Sequence, residues 1–177
     1  MVGVELSHQL PTVVDSTTPS VAPDPAFGAC TGCNPFPGAK LRAVSDMSSS
    51  VVFRWLAAGD AGDLDAFDEL LHPDAVIHAP GGLSTTSAFE EKDVWRDALA
   101  AMPDLRHDVQ EVVVGDDVEM ARVVVTGTLT ATFGGVEGTG RAFQIDQAVI
   151  THLRDGKVVE AWEIADLAAL REQVTAG

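Results

Sequence analysis

A chain of 177 residues, 46% of them hydrophobic, has enough apolar material for one ordinary domain with a real core. A formal charge of −16 repels phosphate backbones and anionic membrane surfaces, which excludes nucleic acid and membrane as partners. No run reaches the roughly 18 uninterrupted apolar residues of a membrane helix, and no basic segment leads into an apolar one near residue 1, so the sequence predicts a cytoplasmic location.

Residues 1–46 read as an appended arm, rich in Pro, Ser, Thr, Gly and Val, with no helical or strand period. Disorder is the expectation. Cys30 and Cys33 lie in this arm as Cys-x-x-Cys. A redox motif would need a βαβ context and a zinc site two further ligands; the neighbouring Gly and Pro residues supply neither. The pair reads as two thiols in a loop. Elsewhere no His-x-x-x-His or comparable cluster occurs, and no glycine-rich phosphate loop, so no metal and no cofactor is expected.

The domain proper is expected over 47–177. Val51, Trp55, Leu56, Leu64, Phe67, Leu70 and Leu71 recur at helical spacing. They predict two helices capped by Ser50 and Asp63, broken by residues 59–63. His72-Pro73-Asp74 ends the second, because proline disfavours helix in the residue before it. His72 is then a helix C-terminal residue. Residues 75–79 form a short strand carrying His78, and Pro80-Gly81-Gly82 turns the chain. Ser87 caps a third helix with Glu90 in capping-box register, presenting Phe89, Val94, Trp95, Ala98 and Leu99. Met102-Pro103-Asp104 stops it.

The period then changes from helical to alternating. Residues 106–114, 118–133, 141–153 and 157–164 are four strand candidates separated by glycine turns, an antiparallel meander. Asp155-Gly156 is the tightest of these turns. Asp166 caps a last helix over 167–174. Helices first and strands second predict an α+β fold, a curved antiparallel sheet wrapped around N-terminal helices to make a cone with a cavity.

Glu163 and Gln147 sit where a packed sheet prefers apolar residues. A buried polar group without a partner costs roughly 2–7 kcal/mol, so each either faces water or belongs to a site. Pointing inward, Glu163 would be desolvated and its pKa raised, a usable base near neutral pH. Gln147 and Val149 share one strand face and Asp146 lies on the other. His78 is placed at the cavity rim as a second acid/base group or an anchor, or as a rim histidine bonded to water. Trp55, Trp95 and Trp162 line an aromatic pocket or pack the core. Arg122 is a candidate buried partner for Glu163.

The ordered set Gly62-Asp63-Leu64-Asp65, His72-Pro73-Asp74, Met102-Pro103-Asp104-Leu105, Thr126-Gly127-Thr128, Thr139-Gly140-Arg141, Asp146-Gln147, Asp155-Gly156-Lys157 and Glu160-Ala161-Trp162 resembles the SnoaL-like polyketide cyclases, the ester cyclase family of the ketosteroid isomerase-like superfamily. The resemblance implies a cone-shaped α+β barrel and intramolecular aldol chemistry without metal or cofactor. It places the family base on Glu163, its glutamine on Gln147, its histidine on Val149, and its asparagine near Ile77 with His78 adjacent. It also implies a small-molecule substrate and a homodimer.

Three functions compete. An enzyme would use Glu163 as base, with Gln147 and His78 holding an enolate. A binding module would carry a small ligand without turnover, and a third reading is a dimerisation module. Arg122, Asp146 and Glu163 imitate part of an epoxide hydrolase site. Tyrosine is absent from the chain, which counts against tyrosine-dependent isomerase chemistry.

Overall fold

The computed structural model of the protein describes residues 41–175; Cys30, Cys33 and most of the stretch read as an arm lie outside them. Helix α1 (Val51–Ala61) starts where the Ser50 hydroxyl accepts from the Phe53 amide, and the buried Glu119 carboxylate receives both the Ser50 hydroxyl and the Val52 amide. These satisfy donors that a helix N-terminus leaves open. Gly62, left-handed at φ 71°, terminates the helix. The helix therefore runs through Gly59 and Asp60, which the sequence assigns to a break. At Gly59 an added Cβ would overlap the Trp95 ring, so the glycine is there for close packing.

Asp63 caps a short 3-10 turn leading into α2 (Phe67–Leu70). Strand β2 (Leu71–His78) then begins four residues earlier than expected. His72 and Pro73 lie in that strand, at an irregularity between Leu71 and Val76 where the missing proline amide costs no ladder bond. Helix α3 (Ala88–Ala101) is capped by Ser87, as read from the sequence. It buries Ala88, Glu91, Trp95, Ala98 and Ala101 and leaves Phe89 72% exposed, so the inward stripe is rotated from the expected one. Asp166 caps α4 (Leu167–Thr175).

Strands β4 (Arg106–Val114), β5 (Val118–Leu129), β6 (Arg141–Arg154) and β7 (Lys157–Ala165) form the predicted antiparallel meander. Asp155 at φ 53° and Gly156 at φ 74° turn the last hairpin. Two short strands, β1 (Arg42–Ala43) and β3 (Ser84–Thr85), complete the seven-stranded order β1-β4-β5-β6-β7-β2-β3. Neither carries enough residues to show a period. Strand β1 lies inside the stretch assigned to the arm and pairs with Val113 and Val114. The sheet is mixed rather than purely antiparallel, because β2 runs parallel to β7.

The inward face of the sheet packs on α1, α2 and α3 through Trp55, Phe67, Ile77, Val112, Val123, Val149 and Ala161. No helix of the described residues is long and apolar enough to cross a membrane, which leaves strands unaddressed.

Candidate active site

One end of this core is hollow. A cavity of about 130 Å³ is walled by Trp95, Ala98 and Met102 of α3, by Val125, Leu129, Phe143 and Ile145 of the sheet, and by Leu167 and Leu170 of α4. Pro80, Leu83, Phe133 and Gly134 lie around it. An apolar cavity of roughly 150 Å³ binds benzene in another protein, so this one seats about one six-membered ring.

Four polar side chains interrupt the apolar wall. Strand alternation turns Glu163 and Gln147 to the same inward face, since Val149 stands opposite Glu163 and Ala165 opposite Gln147. The Gln147 amide donates to Glu163 Oε2 at 3.3 Å. Glu163 is half-buried on the wall of the cavity it lines. Burial, with the negative charge of Glu91 behind it, pushes its pKa up to about 8, against a small lowering from Gln147.

Glu91 is the second carboxylate of the cavity, buried at 2% exposure. Its Oε1 accepts from Trp95 Nε1 at 2.9 Å and its Oε2 from Thr85 Oγ1 at 3.0 Å. Burial raises its pKa too, and the two donors oppose that. The fourth polar side chain is His107 of β4, which borders the cavity beside Val125, its cross-strand neighbour. Its Nδ1 lies 2.7 Å from Asp60 Oδ1, and Asp60 Oδ2 accepts the His107 amide at 2.7 Å. Trp95 packs on the same ring at 5.2 Å between centroids.

Of the candidate catalytic and substrate-binding residues read from the sequence, Glu163, Gln147 and Trp95 line this cavity. The others do not. His78 pairs with Trp162 across β2 and β7, on the face opposite Glu163. There it contacts Glu160 at 3.1 Å and stacks on Trp162. Parallel pairing with β7 sets that orientation, and an isolated short strand does not reveal it. Trp55 is fully buried against Phe67 in the core. Val149 is fully buried beneath Glu163, supplying apolar surroundings rather than contact with the cavity. Arg122 pairs with Ala148 on the outer face and is exposed, so it does not reach Glu163. Asp146 is exposed on the same outer face as Arg122, so Glu163 stands apart from the other two members of the epoxide hydrolase-like set.

Glu91 and His107 were not among the candidates. Glu91 carries a visible signal: it continues the Trp95, Ala98, Met102 stripe at helical spacing, a carboxylate on an apolar face. His107 carries a weaker one, sharing strand parity with the buried Val109. Among the described residues, no three His, Cys, Asp or Glu side chains are placed to hold a metal ion.

No curated protein sequence matches the chain. Solved structures do. IdmH from Streptomyces antibioticus, named as a candidate polyketide cyclase, is 34% identical over 71% of this chain and 96% of its own, with a TM-score of 0.62. TsrD from Streptomyces laurentii is 25% identical over 75% of this chain and 98% of its own, at 0.66. AclR from Streptomyces galilaeus, named as a candidate hydroxylase, is 25% identical over 72% and 80%, at 0.60. The profile of the SnoaL-like polyketide cyclases matches residues 50–174, nearly all of the described residues, and the chain belongs to that family.

Proposed function

We propose that the protein is a cofactor-independent enzyme of the cyclase and isomerase type, acting on a small polyketide-like carbonyl compound. Glu163 is its general base. The carrying observation is a carboxylate on the wall of an apolar cavity, with its pKa near 8, held by the neutral amide of Gln147. A base tuned close to the working pH combines a useful ionised fraction with strong driving force for proton abstraction. Gln147 engages one carboxylate oxygen and leaves the other for the α-proton. As charge moves to the substrate oxygen, the same amide is a candidate donor to it. The negative Glu91 keeps Glu163 basic. A single ring or ring-forming segment occupies the cavity, and the rest of a larger substrate extends past Leu83 and Phe133.

The probe is cyclohexanone, a ketone of one ring. In D2O the wild type should exchange its α-protons faster than buffer, followed by NMR. Glu163→Gln should lower the rate about 10²–10⁴-fold while cyclohexanone still binds. Exchange by Glu163→Gln at the wild-type rate would overturn the assignment, and unchanged binding with no exchange by wild type would favour a carrier.

By family likeness we also propose a homodimer, a cytoplasmic location and a place in secondary metabolism. Sedimentation of the full chain, of mass 18.6 kDa, tests the first by a doubled mass.

A further inference from the structure

Base chemistry at carbon leaves a second proton unassigned. When a carbon acid loses its proton, the electron pair moves onto oxygen, and that oxygen needs a donor on its own side of the substrate. Glu163 stands on β7 and His107 on β4, at opposite ends of the four-stranded meander, with Val125 and Ile145 between them on the cavity wall. Both side chains border the same cavity.

The ring is fixed more firmly than packing requires. Asp60 grips it twice, through Nδ1 and through the His107 backbone amide. The carboxylate can only accept, so Nδ1 carries a proton and Nε2 is the atom that exchanges one. The Trp95 ring holds the imidazole from α3 and is itself tied to Glu91. The Arg106 guanidinium is turned away, donating to the carbonyls of Asp60 and Leu105. His107 and Asp60 also line an outer groove with Phe53, Ala57 and Arg106, so the same ring borders both the cavity and a second opening.

We propose that His107 is the second acid–base group of this cavity, positioned by Asp60 and serving the substrate oxygen while Glu163 serves the carbon. The inference rests on the reading of Glu163 as base. The Glu163 carboxylate takes the α-proton, and the C–H electron pair becomes an enolate. The ring, protonated on Nε2 with Asp60 balancing its charge, gives that proton to the enolate oxygen. In ring closure it gives it to the alkoxide formed when the enolate carbon attacks a second carbonyl. Glu163 is then a neutral acid and His107 a neutral imidazole. One proton passed from the first to the second through water restores both, and nothing is oxidised or reduced.

Full-length protein labelled with 15N-histidine tests this, with cyclohexanone as the probe. Addition of the ketone should move the His107 Nε2 resonance in wild type and in Glu163→Gln alike, while Nδ1 keeps its proton. His107→Gln should lower kcat for α-proton exchange about 10²–10⁴-fold with little change in KM. Asp60→Asn should lower kcat less and shift the ring toward the other tautomer, which a merely structural residue would not do. It also serves if His107→Gln fails to fold. An Nε2 signal indifferent to the ketone, or His107→Gln exchanging at the wild-type rate while Glu163→Gln is inert, would overturn the proposal. If Glu163→Gln exchanges as fast as wild type, the base assignment fails instead, and the Nε2 response separately decides whether the ring faces the ligand.

Discussion

Glu163 must be ionised to act as a base, so the acid limb of the rate should climb as pH rises toward about 8. Glu91 contributes to that position by its charge. Glu91→Gln should therefore move the limb to lower pH, and Gln147→Leu, which removes the donor, should move it higher. A pH–rate profile of cyclohexanone exchange checks both, and shifts of the opposite sign would contradict the electrostatic account. The inward turn of Glu163 is set by the β6–β7 register, while the face shared by Gln147 and Val149 follows from alternation along β6, which the sequence displays. Their partners do not follow from it. Asp60 and His107 are 47 positions apart, and only the packing of α1 against β4 brings them together.

At the level of elements, the local signals were the legible ones. Ser50, Asp63, Ser87 and Asp166 each accept the backbone amide expected of a cap, because a cap needs only three or four neighbouring residues. The meander was equally plain, since its turns carry Asp-Gly and Gly-Gly. The parallel pairing of β2 with β7 was hidden, and with it the side on which His78 falls. Gly59 was misread for a related reason. Glycine usually weakens a helix, by about 1 kcal/mol relative to alanine, yet here it admits the Trp95 ring. Gly59→Ala should thus destabilise the fold by about 1–3 kcal/mol, overlap outweighing propensity. Urea unfolding of the variant measures it, and a gain in stability would show that the ring can move aside. Replacing Glu119 by Ala strips two donors at the start of α1 of their partner, and should cost about 2–4 kcal/mol by the same measurement.

Across the whole molecule, the raised pKa of Glu163 links folding to pH. Its folded value of about 8 lies above the ordinary 4.5. The protonated form is the one the fold favours, so this contribution is present below pH 4.5 and drains away as pH rises toward 8. Glu163→Gln should accordingly lose activity and gain thermal stability at pH 9. Each kcal/mol regained raises Tm by about 2–4 °C for a chain of this size. Calorimetry at pH 5 and pH 9 tests the sign. A larger gain at the acidic pH would mean the carboxylate is not desolvated in the fold.

The three tryptophans occupy three unlike settings. Trp55 is sealed beside Phe67, Trp95 forms part of the cavity wall, and Trp162 lies stacked on an imidazole on the sheet's far face. Intrinsic fluorescence is therefore a spatially resolved reporter built into the chain. Occupancy of the hollow should quench or shift only the Trp95 component, aqueous quenchers should reach Trp162 first, and Trp55 should stay dark to both until the protein unfolds.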